Sequence, residues 1–187
     1  RYPWKEIPQE DVTRRIIAGV VAAIREKGEP MPGVHHACAI VQRMGYATAV
    51  ASSSPDVIIN AMVERLKLDG LDVLYSAEHE ERGKPAPDVY LTTARLLDME
   101  PARCLAFEDS KNGVLSAKAA GMACIAVIDS RYTAPDDVAA ADRVLRSLEE
   151  VTEKMVEKFL IIKSKSPERV RGSWVVDGGG VKPQELG

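Results

Sequence analysis

Four short apolar runs, at residues 46–51, 71–75, 103–107 and 123–128, are separated by stretches of helical character. Runs of five or six residues are strand-sized, and apolar residues between them recur at helical spacing. A chain that alternates strand and helix has few ways to close a core. Crossover helices set the strands parallel and cover both faces of the sheet. The expected fold class is α/β, a doubly wound parallel sheet. In such a sheet the carboxyl ends of the strands form the crevice that takes ligands.

The rest of the chain fits around those strands. Residues 8–27 read as a helix with an apolar stripe of Ile16, Ile17, Val20, Val21 and Ile24. Gly28, Pro30, Pro32 and Gly33 then break the chain, as expected of a hinge or domain boundary. A helix over 34–44 can end on Gly45. Ser54 is the expected N-cap of the next helix, with Pro55 at its first position. Residues 78–84 are polar and loop-like, and a helix is expected over 87–97. Ser110 is suited to cap a helix that runs to Ala120 and stops at Gly121. A short helix at 136–140, a strand at 143–145 and a helix over 148–160 complete the pattern. From 161 onward no period is visible apart from 174–176, so residues 161–187 read as a tail.

Composition narrows the class. The 187 residues suffice for one domain with a sizeable core and an appended piece. The net charge of -3 gives no basic surface for nucleic acid. The longest apolar run, 16–24, is too short to span a bilayer, and no signal peptide is visible. The chain starts on Arg1, which suggests a fragment or processed product. Cys38, Cys104 and Cys124 lie in apolar elements without metal-like spacing and read as buried thiols. An odd count without a signal peptide favours a reducing, cytoplasmic compartment.

Chemistry-bearing residues collect at the ends of the apolar runs. Glu108 and Asp109 close the third, Ser52 follows the first, and Lys84 sits in a loop stiffened by Pro85 and Pro87. Carboxylates suit a hard cation such as Mg2+. A hydroxyl, an ammonium and helix N-termini suit a phosphate. Simpler roles exist for each: Ser52 to Ser54 can merely turn the chain, Lys84 can be a solvated lysine, and one carboxylate can cap a helix. Both acids can face the site only if the strand has ended, because side chains alternate along it. His35 and His36 are adjacent and share no helix face. His79 is isolated, and no histidine is assigned a catalytic role.

The order of these segments resembles a known family. Val50-Ala51-Ser52-Ser53-Ser54-Pro55, Gly83-Lys84-Pro85-Ala86-Pro87-Asp88-Val89-Tyr90 and Phe107-Glu108-Asp109-Ser110-Lys111-Asn112-Gly113 look like motifs two, three and four of the haloacid dehalogenase superfamily. Ala117-Lys118-Ala119-Ala120-Gly121-Met122 continues the likeness. Pro32-Gly33-Val34 resembles the return from an inserted cap into the core. The nearest branch is the beta-phosphoglucomutase-like one, especially its sugar-phosphate and hexitol-phosphate phosphatases, and the likeness covers about residues 8–158.

The resemblance implies a Rossmann-like core at 32–160, lacking its first strand. Residues 1–31 would be a remnant of a helical cap with its hinge, and 161–187 a tail. It also implies roles. Ser52 matches the hydroxyl that binds the transferring phosphoryl group, and Ser53 would add its backbone amide. Lys84 matches the lysine that balances charge at the phosphate. Asp109 matches the Mg2+ carboxylate, Glu108 its acidic partner, and Asn112 would line the site.

One part of the family pattern has no match. The first motif is a strand ending in Asp-x-Asp, whose first Asp attacks phosphorus and whose second acts as acid and base. No such segment precedes Arg1. Val175-Val176-Asp177-Gly178-Gly179 offers one Asp after a short apolar run, with Gly179 in place of the second, and Asp177 is assigned no substitute role. A sheet without that first strand is expected to carry a gap or a raw edge.

The expected activity of the parent protein is Mg2+-dependent hydrolysis of a small sugar or polyol phosphate through an aspartyl-phosphate. This chain supplies the stabilising groups and is expected to be inactive alone. The alternatives are phosphoryl transfer of the beta-phosphoglucomutase type and a non-catalytic phosphate- or metal-binding module. The coding sequence upstream of Arg1 would separate a truncated enzyme from such a module. The expected partner is a small phosphorylated metabolite, with neither nucleic acid nor membrane involved.

Overall fold

The computed structural model describes residues 7–129, 133–161 and 173–176. Its strands are β1 (Ala47–Ser52), β2 (Val73–Ser76), β3 (Cys104–Glu108), β4 (Ala123–Val127), β5 (Arg143–Leu145) and β6 (Ser173–Val176). Its helices are α1 (Gln9–Lys27), α2 (Val34–Arg43), α3 (Asp56–Leu66), α4 (Asp88–Leu96), α5 (Lys111–Ala119) and α6 (Glu153–Ile161). The strands form one sheet in the order β2-β1-β6-β3-β4-β5, every pair parallel. The α/β doubly wound expectation holds.

Burial explains why the strands are readable. β3 and β4 are buried along their whole length, as strands covered on both faces must be. The edge strands β2 and β5 mix exposed and buried positions. Alternation sends Ala49, Ala51, Cys104, Ala106, Cys124 and Ala126 to one face. There they meet Val89, Tyr90 and Ala94 of α4 with Val114 and Ala117 of α5. The opposite face presents Leu105, Phe107, Ile125 and Val127 to α2 and α6. Val50 packs on that second side against Ile59, Met62 and Leu66 of α3 and Val21 and Ile24 of α1.

The apolar stripe of α1 is therefore partly covered. Val21 and Ile24 are buried against α3, while Ile16 stays 60% exposed. Several helix ends shift from the sequence reading. Pro55, with an extended ψ of 149°, is the N-cap of α3, and Ser54 makes no side-chain capping bond to it. The expected helix at 136–140 is a 3-10 turn at Pro135–Val138. The helix expected from 148 divides: Ser147 and Glu150 form a capping box on a 3-10 turn at Leu148–Glu150, Val151 is extended, and α6 comes next. Ser110 does cap α5, its hydroxyl accepting from the Gly113 amide at 3.1 Å. Gly45 and Gly121 lie just past their helices at φ of 75° and 81°, a region a Cβ disfavours.

The largest departure is β6. The sequence reading places 161–187 in a tail and expects a gap in the sheet, yet Ser173–Val176 lies between β1 and β3. Ala47 to Val50 pair with it on one side and Cys104 to Phe107 on the other. A four-residue run is too short to show a period, and its partners lie far upstream in the chain. The consequence for function is positional. From β1 the chain moves outward to β2, and from β3 it moves the other way to β4 and β5. The order reverses at β6, which makes its neighbourhood the topological switch point where such sheets bind ligands. Residues after Val176, Asp177 included, lie outside the described residues.

Candidate functional site

The carboxyl ends of β1 and β3, with the turns that leave them, build the site. Ser52 ends β1, and Asp109 is the first residue beyond β3. Both line a pocket of about 630 Å³ at the carboxyl edge of the sheet. Ser53, Ser54, Lys84 and Asn112 line it too, as do Ser110, Lys111, Thr133 and Asp137. Of the residues expected at the site, all but Glu108 thus converge on one pocket.

Local chemistry holds the pocket's shape. The Ser52 hydroxyl accepts from the Ser54 amide at 3.1 Å, which tightens the turn out of β1. The Ser76 hydroxyl donates to the Ser54 carbonyl at 2.8 Å and ties that turn to β2. Arg82 clamps Asp88 with contacts of 3.0 and 3.1 Å, closing the loop that carries Lys84. The Lys84–Pro85 peptide bond in that loop is cis. Thr133 donates to the Asp109 carbonyl at 2.9 Å, and Lys111 pairs with Asp137 at 3.3 Å on the exposed rim.

Glu108 is the exception, and strand geometry gives the reason. It is the last residue of β3 and shares a face with Cys104 and Ala106, so it sits under α4 and α5 rather than in the pocket. Its side chain is fully buried. Lys84 Nζ donates to Glu108 Oε1 at 2.7 Å, to the Ala51 carbonyl at 3.1 Å and to Tyr90 Oη at 3.4 Å. The Tyr90 hydroxyl donates to the same Glu108 oxygen. Glu108, expected as a metal partner of Asp109, forms a buried ion pair with Lys84. Asp109, one residue later, has left the strand and lines the pocket.

Gly113 belongs to this arrangement. A Cβ built there would run into the Glu108 carboxylate. Alanine in a helix usually gains roughly 1 kcal/mol over glycine. Gly113→Ala is expected to lose about 1–3 kcal/mol instead, because the carboxylate must move off Lys84 and Tyr90. Urea denaturation checks the sign, and a stabilised variant would show that Glu108 can shift freely.

The cysteines take no part. All three are buried, and desolvation pushes the Cys38 thiol up to about 11 and the Cys124 thiol up to about 12. His36 bonds to the Val151 carbonyl through Nε2, 2.9 Å away. His79 Nε2 lies 2.7 Å from Asp56 Oδ2, and that hydrogen bond raises its pKa. Asp56, Glu78 and His79 bring ligand-type atoms within 4.8 Å of one another, outside the pocket.

Sequence reasoning missed Lys111, Thr133, Asp137 and Tyr90. Lys111 and Tyr90 lie inside the family-like motifs but carried no role there. Thr133 and Asp137 lie beyond β4 and carry no periodic or motif signal.

Known proteins share this architecture. A model of the haloacid dehalogenase-like hydrolases matches residues 2–121. The chain belongs to the haloacid dehalogenase-like hydrolase family. Hexitol phosphatase B of Escherichia coli K12 is 36% identical over 155 residues, 82% of this chain and 70% of that protein. The crystal structure of CbbY from Rhodobacter sphaeroides in complex with phosphate superposes with a TM-score of 0.71 at 32% identity. It covers 78% of this chain and 66% of its own. A structure described as a putative beta-phosphoglucomutase from Thermotoga maritima gives a TM-score of 0.69 at 28% identity, over 83% of this chain and 73% of its own. In this chain the pocket at the switch point combines Lys84, Lys111, four serines and the N-terminal end of α5 with the carboxylates of Asp109 and Asp137. The first set suits an anion and the second a cation. Among the described residues no helix is long and apolar enough to cross a membrane.

Proposed function

We propose that the pocket holds the phosphoryl group of a small sugar or polyol phosphate together with Mg2+, as the phosphate-binding part of a parent phosphomonoester hydrolase. The observation that carries this reading is the convergence of Ser52, Lys84 and Asp109 at the switch point. The Ser52 hydroxyl and the Ser53 amide bind phosphate oxygens, and Lys84 balances their charge. Asp109, an oxygen donor in a pocket rich in oxygen donors, is the residue that would hold Mg2+, with Asn112 lining the site beside it. The ion would neutralise charge on the phosphoryl group. Glu108 acts through its ion pair with Lys84.

Hexitol phosphatase B in Escherichia coli, 36% identical against 28% for the putative beta-phosphoglucomutase, supports hydrolysis over transfer. Within this reading residues 1–31 are cap and hinge, residues 32–160 together with β6 are core, and the buried free cysteines fit a reducing, cytoplasmic setting. Among the described residues the pocket carboxylates have other roles, Asp109 toward the metal and Asp137 paired with Lys111 on the rim. No histidine lines the pocket beside Ser52, and the cysteine thiols are buried. The 187-residue chain is therefore expected to bind phosphate and turn over sugar phosphates at background rate, in an assay with Mg2+. Robust turnover abolished by Ser52→Ala would show that an attacking group is present.

The metal assignment has its own test. Asp109→Asn is expected to weaken Mg2+ binding at least tenfold by calorimetry, because a neutral amide replaces the anionic ligand. Equal affinity in both proteins would remove Asp109 from the metal site.

A further inference from the structure

The buried ion pair beneath the pocket has a third member that the phosphate reading does not use. Tyr90 is on α4 with no exposed surface. A phenylalanine would fill the same space without a polar atom to satisfy, and a buried phenol needs a partner. Here the hydroxyl donates to Glu108 Oε1, the oxygen that also receives Lys84. The ring does a second thing: the Lys84 ammonium lies 4.7 Å from its centroid, within cation–π range. Tyr90 thus touches both members of the pair, one through its hydroxyl and the other through its face.

We propose that Tyr90 is a positioning residue for phosphate binding, holding the Lys84 ammonium at the pocket by sharing the Glu108 carboxylate with it. The inference rests on the phosphate reading of the pocket. A carboxylate with lysine as its one strong donor draws the ammonium into the ion pair and away from an incoming anion. A second donor on the same oxygen takes up part of that charge. Among the Lys84 contacts to Glu108, Ala51 and Tyr90, that to Tyr90 Oη is the longest at 3.4 Å, against 2.7 Å and 3.1 Å for the other two. A phosphate oxygen displaces the longest contact at least cost, so the ammonium can turn toward the pocket while Glu108 and Ala51 hold it.

Tyr90→Phe keeps the ring and removes the hydroxyl. With the full chain and inorganic phosphate as probe, titration followed by the Lys84 side-chain NMR resonance is expected to show affinity falling by about 3- to 10-fold, the loss of one hydrogen bond. The free-state Lys84 resonance should also shift. Thermal unfolding reports any structural effect separately. Wild-type binding that Tyr90→Phe leaves unchanged, whatever happens to its melting temperature, overturns the proposal while leaving the pocket reading intact. Wild-type protein that takes up no phosphate overturns both. A second measurement stands if the variant does not fold. In wild-type protein labelled at tyrosine Cζ, the Tyr90 signal is expected to move with phosphate at the same midpoint as Lys84. A Tyr90 signal that stays fixed while Lys84 moves would reduce Tyr90 to a packing residue.

Discussion

Deletion of residues 162–187 is expected to abolish cooperative unfolding. The segment contains β6, which stands third across the six-stranded sheet and separates β1 from β3. Four positions of β1 and four of β3 find their partners on it. Without it the facing backbone groups of two central strands lose their partners in the middle of a buried layer. Each hydrogen bond contributes about 0.5–1.5 kcal/mol net, and a buried group left unsatisfied costs more. Total stability for a domain of this kind is on the order of 5–15 kcal/mol, so losing both ladders removes most of it. The truncated protein should lack a sharp thermal transition and should associate through the opened strands. A synthetic peptide spanning residues 171–178 is expected to restore the transition in a concentration-dependent way. A truncated chain that melts at the same temperature as the full one would show that 162–187 is the dispensable tail its sequence suggests.

That contrast shows what the sequence could and could not convey. Strands β1, β3 and β4 were legible because burial on both faces fills them mostly with apolar residues. The Ser110 cap was legible because capping is a local hydrogen bond between neighbours in the chain. The pocket residues Ser52, Lys84 and Asp109 were legible as ends of strands and as motif members. β6 was not, because four residues carry no period and the pairing is wholly non-local. Its place in the sheet decides where the order of strands reverses, and so where the pocket lies. Asp177, weighed from sequence as a substitute acid, lies outside the described residues.

Glu108 has a setting that the sequence could convey only in part. Its neighbour Asp109 made it look like half of a metal site. The alternation rule already separates them: a residue in register with Cys104 and Ala106 belongs to the face under α4 and α5, and only the residue after the strand is free to turn into the crevice. What the rule could not supply was the partner. Lys84 reaches Glu108 from a loop that the strand pattern does not position, and Tyr90 reaches it from the buried side of a helix.

Removing one member of the Lys84–Glu108 pair is expected to be the most destabilising single change in the site. The two side chains are 3% and 0% exposed and meet at 2.7 Å. Lys84→Met takes away the ammonium and leaves a buried carboxylate with the Tyr90 hydroxyl, an imbalance that costs about 3–5 kcal/mol in comparable pairs. Glu108→Gln removes the carboxylate 2.7 Å from the ammonium and should cost a similar amount. The double variant replaces the ion pair by a thioether chain and an amide, so neither charge is stranded. It is expected to recover at least 1 kcal/mol relative to the sum of the single losses, since residues in direct contact couple by roughly 0.5–3 kcal/mol. Urea denaturation of the four proteins gives the coupling, provided the denaturant slope stays constant. Additive losses would mean that the pair does not act as a unit. Phosphate binding separates stability from function in the same set. Lys84→Met and the double variant should both lose it, because recovered stability does not return an ammonium to the pocket. A double variant that regains both stability and phosphate affinity would place the anion on Lys111, serine hydroxyls and helix amides alone, and would remove Lys84 from the binding site.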